Sequence, residues 1–154
     1  MEKKAEEICV KIAFTKLREN ARVPSYGSEA AAGADLYAAL DESVTLAPGE
    51  TKLIPHGLSM AIPTGYAGFI YARSGLATKR NLAPANKVGV VDADYRGELM
   101  TPIHNHGSTP AVIEPGERVA QLVIAPVMHA EFCEVETLDE TERGSGGFGS
   151  TGTR

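Results

Sequence analysis

Two aspartates, a tyrosine and an arginine share one short run, Asp92-Ala93-Asp94-Tyr95-Arg96, set between Gly89-Val90-Val91 and Gly97. A carboxylate at a strand end can orient and deprotonate a water molecule. An aromatic ring on the adjoining turn can wall the same pocket. The apolar residues Val88 to Val91 on one side, and Leu99 and Met100 on the other, predict a tight hairpin between two strands. Glycines at both ends would let the backbone bend sharply or take φ > 0. Taken alone, the run reads equally as a polar turn with solvated aspartates.

Other residues carry chemistry only in company. In Ala72-Arg73-Ser74-Gly75-Leu76-Ala77, the arginine offers a rigid fork of donors suited to phosphate oxygens. Ser74 adds a hydroxyl, Gly75 leaves the backbone N–H bare, and a helical turn beginning there would add affinity for an anion. By itself the block reads as a polar loop. Gln121 interrupts the apolar run Val119 to Ile124. A buried glutamine must be hydrogen-bonded, so it satisfies backbone or meets a ligand. Asp35, in Gly33-Ala34-Asp35-Leu36-Tyr37, reads as a cap or turn residue at a strand start. Arg143 precedes the glycine-dense stretch Gly144 to Gly152, in which Phe148 is the one aromatic. Bare N–H groups, hydroxyls and an arginine make a phosphate cradle, and the same composition makes a floppy tail. His104-Asn105-His106 would place two rings on one face of a strand, but no third ligand completes a zinc site, so the pair reads as structural or surface. His56 and His129 have no recognisable partner.

The elements that must position these residues are short strands. Ile8, Val10, Ile12 and Phe14 alternate with Cys9, Lys11 and Ala13, which predicts a half-buried strand. Arg22 to Gly33 reads as loop. Strands are expected at Ala34–Ala38, Val44–Leu46, Thr51–Ile54, Leu58–Ile62, Tyr66–Tyr71, Leu99–His104, Ala111–Ile113, Val119–Ile124 and Phe132–Val135, with one or two helical turns at Leu76–Arg80. Pro102 places its strand at an edge or a bulge. Turn signals such as Ala47-Pro48-Gly49-Glu50, Pro63-Thr64-Gly65 and Glu114-Pro115-Gly116-Glu117 punctuate the series. Strands recurring at roughly 8–12-residue spacing are the mark of an all-β sandwich or barrel. A jelly-roll-like antiparallel fold is expected over residues 1–142, followed by a mobile arm over residues 143–154.

A chain of 154 residues suits one domain. With aromatics at 6% and no tryptophan, aliphatic side chains must fill the core. The net charge of −5 argues against a nucleic-acid surface. A phosphorylated small ligand stays possible, because a few arginines and a divalent cation can hold it locally. The charged start, Met1 to Glu7, lacks the apolar segment of a signal peptide. No run approaches the ~20 apolar residues that span a bilayer. Cys9 and Cys133 show no C-x-x-C pattern and read as reduced structural thiols, consistent with the cytoplasm.

Taken together, the blocks around Asp35, Arg73, Asp92, Gln121 and Phe148 resemble, in order, those of the trimeric dUTP diphosphatases (dUTPases). The resemblance runs from Gly33 to Gly152, with small departures at Ala72, Val91 and Ala93. It implies a homotrimeric jelly roll that hydrolyses dUTP to dUMP and diphosphate. Asp92 would be the general base for a water attacking the α-phosphorus. Tyr95 would lie against the deoxyribose and leave no room for a 2′-hydroxyl. Backbone groups around Val90, Val91 and Met100, with the Asn86 amide, would pair with uracil. Arg73, Ser74, Gly75, Gln121 and Arg143 would hold the phosphates. Asp35 would help hold Mg²⁺, mainly through its water. Gly147 and Phe148, on an arm from another subunit, would close over the base. Each site would draw on three chains.

Two other readings differ in class. The related dCTP deaminases need a glutamate base and usually carry a second serine where this chain has Gly75, so Asp92 and Gly75 argue against them. A binding or regulatory protein on the same fold would not need Asp92, Tyr95 and Phe148 together.

Overall fold

The structure is a computed structural model, and it describes residues 9–147. In chain order the strands are β1 (Ala13–Lys16), β2 (Ser25–Tyr26), β3 (Ala34–Tyr37), β4 (Val44–Leu46), β5 (Thr51–Pro55), β6 (Leu58–Ala61) and β7 (Tyr66–Tyr71). The helix α1 (Ser74–Arg80) follows, then β8 (Leu82–Pro84), β9 (Gly89–Val91), β10 (Met100–Asn105), β11 (Ala111–Ile113) and β12 (Arg118–Pro126). Every strand pairing is antiparallel. One sheet runs β2-β3-β12-β7-β9, a second runs β5-β10-β8, and the pairs β1-β6 and β11-β4 extend the surface. This is the expected all-β, jelly-roll-like architecture.

Period-two alternation buries one face of each strand. The inward residues form two apolar clusters, one around Leu36, Leu58, Ile70 and Leu122, the other around Leu46, Ile54, Leu82, Ile103 and Ile113. Strand β12 feeds both, while Leu36 of β3 joins the first and Ala38, just after it, the second. On β12 the register slips between Arg118 and Ala120, so Val119 and Ala120 are both buried, one in each cluster. Such a bulge adds one residue to one strand. Arg118 and Gln121, three apart, therefore face the same side, opposite Tyr37 and Asp35. The end of α1 is tied to the turn before β12, because Arg80 donates to the Glu117 carboxylate and to the Val112 carbonyl.

Several expectations need correcting. No hairpin joins the strands around Asp92: β9 pairs with β7 in one sheet and β10 with β5 and β8 in another. The loop from Asp92 to Leu99 crosses between sheets. The flanking glycines serve close packing, since a Cβ on Gly89 would meet Ile70 at 3.3 Å and one on Gly97 would meet the Tyr95 ring. Strand β10 is central, not an edge. Its Pro102 is tolerated because its carbonyl takes the Ala85 N–H, at 2.7 Å, just beyond the end of β8; the missing Pro102 N–H points to that same open side.

The first strand begins at Ala13, later than its alternation suggested, and Phe14 is exposed. Within the presumed loop 22–33 lies the two-residue strand β2, and β8 was not foreseen. Phe132–Val135 forms no strand; Met128, Phe132, Val135 and Leu138 stand exposed along an extended segment. Cys9 and Cys133 are free thiols on the surface, not part of the core. Among the described residues no helix is long and apolar enough to cross a membrane.

Candidate active site

The loop between β9 and β10 sits over a cavity of about 400 Å³ lined by Asn86, Val90, Val91, Asp92, Tyr95, Glu98, Leu99 and Met100, among others. That is within the ~300–1,000 Å³ typical of small-ligand sites. Its walls are two unpaired strand edges. Strand β9 is the last in its sheet, so one side of its backbone has no partner strand. Strand β10 pairs with β5 from Met100 onward but meets β8 only from Ile103, leaving the start of β10 open on the other side. Bare backbone N–H and C=O groups therefore border the cavity, able to read a flat polar ligand by hydrogen bonding. The Val91 side chain is buried, whereas Val90 and Met100 are exposed.

Two exposed residues complete this cavity. Asp92 follows β9 directly, and its carbonyl accepts the Tyr95 N–H at 3.2 Å. The Tyr95 phenol folds back along the loop and donates to the Glu98 carbonyl at 3.0 Å. Gly97 makes that fold possible, because a Cβ there would come within 2.6 Å of Tyr95 Cζ and closer still to the phenol oxygen. Asp92 also lines a second opening of about 720 Å³, with Asp94, Arg96, His129 and the Pro63-Thr64-Gly65 turn.

A third cavity, about 270 Å³, gathers Gly33, Asp35, Arg73, Ser74, Gly75, Arg118 and Gln121. Arg73 immediately precedes α1, so Ser74 and Gly75, whose N–H groups have no partner within the helix, line this space. Asp35 is buried and anchors two cations: Arg73 Nε donates to Oδ1 at 2.7 Å, and Arg118 Nη1 donates to Oδ2 at 3.2 Å. Gln121 donates from Nε2 to the Ala72 carbonyl at 2.8 Å, which satisfies backbone, and it also lines the same cavity. Gly33 is required beside it, since a Cβ would come within 2.6 Å of Gln121 Oε1. Two arginines against one carboxylate leave a cationic, donor-rich pocket suited to a phosphate chain. Arg118 escaped the sequence reading. Period-two counting sets it opposite Gln121, and only the bulge turns it inward.

The two sets of site residues thus occupy separate cavities with no lining residue in common. Arg143 and Gly147 line none of the three openings; Arg143 Nε donates to the Gly146 carbonyl of its own segment. Phe148 lies outside the described residues.

These arrangements have relatives. A family model described as dUTPase matches residues 19–152. The chain belongs to the dUTPase family. A deoxyuridine 5'-triphosphate nucleotidohydrolase of Desulfitobacterium hafniense is 49% identical over 146 residues, covering 94% of this chain and 97% of that one. One of the same description from Alcanivorax borkumensis is 48% identical, covering 90% and 93%. Among solved structures, the dUTPase of Staphylococcus bacteriophage 80alpha with dUpNHpp superposes with a TM-score of 0.85 at 32% identity, covering 93% of this chain and 99% of that one. A dUTPase mutant from phage phi11 of S. aureus, whose structure is described as revealing the coordination of a structural Mg(II) ion, has a TM-score of 0.76 at 29% identity, covering 83% and 98%. The chain is thereby an enzyme of the dUTPase family.

The histidines fall outside these cavities' chemistry, except His129 at the rim of the largest. His56 is buried and has two partners, the Tyr37 carbonyl at 2.8 Å from Nδ1 and Thr101 Oγ1 at 2.7 Å from Nε2. Burial pushes its pKa below the usual 6.5, against the opposing pull of the Tyr37 carbonyl. His104 and His106 do share a face, their rings 4.4 Å apart, because Asn105 between them turns inward to Leu46 and Thr109 carbonyls. Among the described residues no three His, Cys, Asp or Glu could together hold a metal ion.

Proposed function

We propose that this chain hydrolyses dUTP to dUMP and diphosphate in a Mg²⁺-dependent reaction. The observation that carries the reading is the cavity between the open edges of β9 and β10, which brings together Asp92, Tyr95, Asn86, Val90, Val91 and Met100. Uracil would lie between the two strand edges, paired to backbone groups and the Asn86 amide. Cytosine offers a donor where uracil accepts, and the unpaired groups would reject it strongly. Tyr95, pinned over Gly97, would cover the deoxyribose and refuse a 2′-hydroxyl. Asp92 would hold a water in line with the departing diphosphate and take its proton.

The triphosphate would extend to a cavity built like the third one, held by Arg73, Ser74, the bare backbone at Gly75, and Gln121, with Arg118 added. A Cβ on Gly75 would meet nothing within 4 Å, so the space beside its backbone is open to a ligand. In the homotrimer that the family resemblance implies, each complete site would combine the first cavity of one chain with the phosphate cavity of another; that the two cavities share no lining residue is compatible with this. A third chain would supply the arm with Arg143, Gly147 and Phe148. On this reading residues 1–142 would be the β domain and residues 143–154 the closing arm.

The donor set fits Mg²⁺ held by substrate. One carboxylate, Asp35, reaches the phosphate cavity, and both its oxygens already accept from arginines. That suits a contact through water to an ion bound mainly by phosphates, which is Mg²⁺ habit. When bound, the ion would neutralise charge on the phosphate oxygens during attack. In a cell, the reaction would limit uracil incorporation into DNA and supply dUMP for dTMP synthesis. A cytoplasmic location, with no membrane or direct nucleic-acid partner, is supported by the free thiols and acidic charge.

The test is diphosphate release with Mg²⁺ from dUTP, dTTP, dCTP and UTP in parallel. Release from dUTP alone supports the reading. Ammonia from dCTP, or equal release from UTP, contradicts it.

A further inference from the structure

The loop that carries Asp92 and Tyr95 belongs to no sheet, and something must hold it still. Its far end is fastened to the start of β6 and the residues just before it. Leu99 exchanges backbone hydrogen bonds with His56 and Leu58, at 2.9 and 2.8 Å, and the Arg96 carbonyl accepts from Ser59 Oγ at 2.7 Å. Glu98, one residue earlier, is fastened by its side chain. Oε1 accepts from Arg18 Nε at 2.7 Å and from the Gly57 N–H at 3.1 Å, and Oε2 accepts from Arg18 Nη2 at 3.2 Å. The same residue's carbonyl receives the Tyr95 phenol.

Arg18 is held in turn. Leu17 donates its N–H to the Gly57 carbonyl at 2.8 Å. Gly57 has φ +67, and a Cβ there would meet Ala21, Ala39 and Arg18 within 3.1 Å, so only glycine fits. Three remote segments therefore meet at the Glu98 carboxylate.

From this junction we infer that the Arg18–Glu98 pair is a positioning element for substrate selection, setting the plane of the Tyr95 ring against the sugar. The pair is unevenly exposed, Arg18 at 40% and Glu98 at 15%, so solvent weakens the ionic attraction from the arginine side. The bidentate geometry and the extra N–H donor instead fix one orientation of Glu98, and its carbonyl is the phenol's anchor. The Arg18 guanidinium also holds the Glu98 carboxyl below the usual carboxylate range, so the pair stays charged at neutral pH. Removing the pair leaves the Glu98–Leu99 peptide held by the Leu99 N–H bond to Leu58 alone, so the carbonyl can shift and the ring can tilt with it. The sugar wall then opens toward a 2′-hydroxyl while Asp92 remains in place.

The inference rests on the proposed role of Tyr95, and the test separates the two. The kcat/KM ratio of dUTP to UTP is measured for wild type, Tyr95→Ala, Arg18→Ala, Glu98→Ala, Glu98→Gln and the Arg18→Ala/Glu98→Ala double variant. A ratio read within one preparation is insensitive to any loss of folded enzyme. We expect the ratio to fall about tenfold or more in Tyr95→Ala and in both single clamp variants, tenfold being ~1.4 kcal/mol of discrimination. The double variant should be no worse than either single, and Glu98→Gln, which still accepts from Gly57 and Arg18, should keep most of the ratio. A collapse in Tyr95→Ala with an unchanged ratio in Arg18→Ala and Glu98→Ala overturns the clamp alone. An unchanged ratio in Tyr95→Ala overturns the Tyr95 role and the clamp with it.

Discussion

Replacing Gly97 by alanine isolates the loop geometry from overall stability. The new Cβ would come within 2.6 Å of Tyr95 Cζ, whereas ordinary carbon contacts need ~3.5 Å or more. The ring must retreat by about 1 Å, which breaks its hydrogen bond to the Glu98 carbonyl. Lost stability should be small. The bond contributes ~1 kcal/mol, and alanine restricts the unfolded chain by ~0.4–1 kcal/mol in the opposite direction. The ring is 44% exposed and can swing outward without disturbing the core. Activity should suffer more, since a ~1 Å misplacement in a site can cost ~10²-fold. Steady-state kcat/KM for dUTP, set beside the thermal midpoint, reads both effects. We expect a loss of ~10–10²-fold with a midpoint shift of a few degrees at most. Wild-type kcat/KM in a correctly folded Gly97→Ala would refute the reasoning that Tyr95 must lie where the structure puts it.

Other perturbations follow from the same geometry. Gly33→Ala should displace Gln121 from the Ala72 carbonyl and raise KM for dUTP about tenfold with kcat little changed; an unaltered KM would remove Gln121 from the phosphate site. Mixing Asp92→Asn subunits with subunits truncated after Glu142 should restore activity that neither has alone, because sites would then pair an intact aspartate with an intact arm. No recovery on mixing, with mixed trimers confirmed by mass, would mean that each chain completes its own site. His56 resists protonation when folded, so the unfolded chain binds more protons below pH ~6.5. Its contribution is whole above that pH and is lost as pH falls toward the folded pKa, with a slope of up to ~1.4 kcal/mol per pH unit. His56→Gln should flatten stability against pH across that window in chemical denaturation, whereas an unchanged slope would assign the acid lability to other groups.

Much of the architecture was legible because aliphatic alternation and Pro-Gly turns mark strands directly. Leu58, Met60 and Ile62, or Ile103 and Asn105, point inward as period two requires. What failed was pairing. Val88–Val91 and Leu99–Met100 carry the local grammar of a hairpin, yet β9 pairs with β7 and β10 with β5 and β8, and their inward residues enter different clusters, Val91 with Ile70 and Ile103 with Ile54. That choice is tertiary and leaves no local mark. The open edges that frame the cavity are its consequence. Arg118 was hidden for a related reason: a bulge reverses the parity of every residue beyond it, and nothing in Glu117-Arg118-Val119-Ala120 announces one. The Arg18–Glu98 junction joins residues 80 apart, a distance over which spacing carries no information. Asp92, Tyr95, Arg73 and Gln121 stand out in the sequence because their residue types are chemically suggestive and because the family pattern fixes their order, and the structure places each of them at a cavity.

The central claim is that Asp92 activates the attacking water. The direct measurement is single-turnover conversion of dUTP by Asp92→Asn, paired with equilibrium binding of a non-hydrolysable dUTP analogue. Asparagine keeps the shape and loses the base, so the account predicts near-normal binding with turnover reduced ~10²–10⁴-fold. Turnover within a few-fold of wild type would place the base elsewhere and contradict the account.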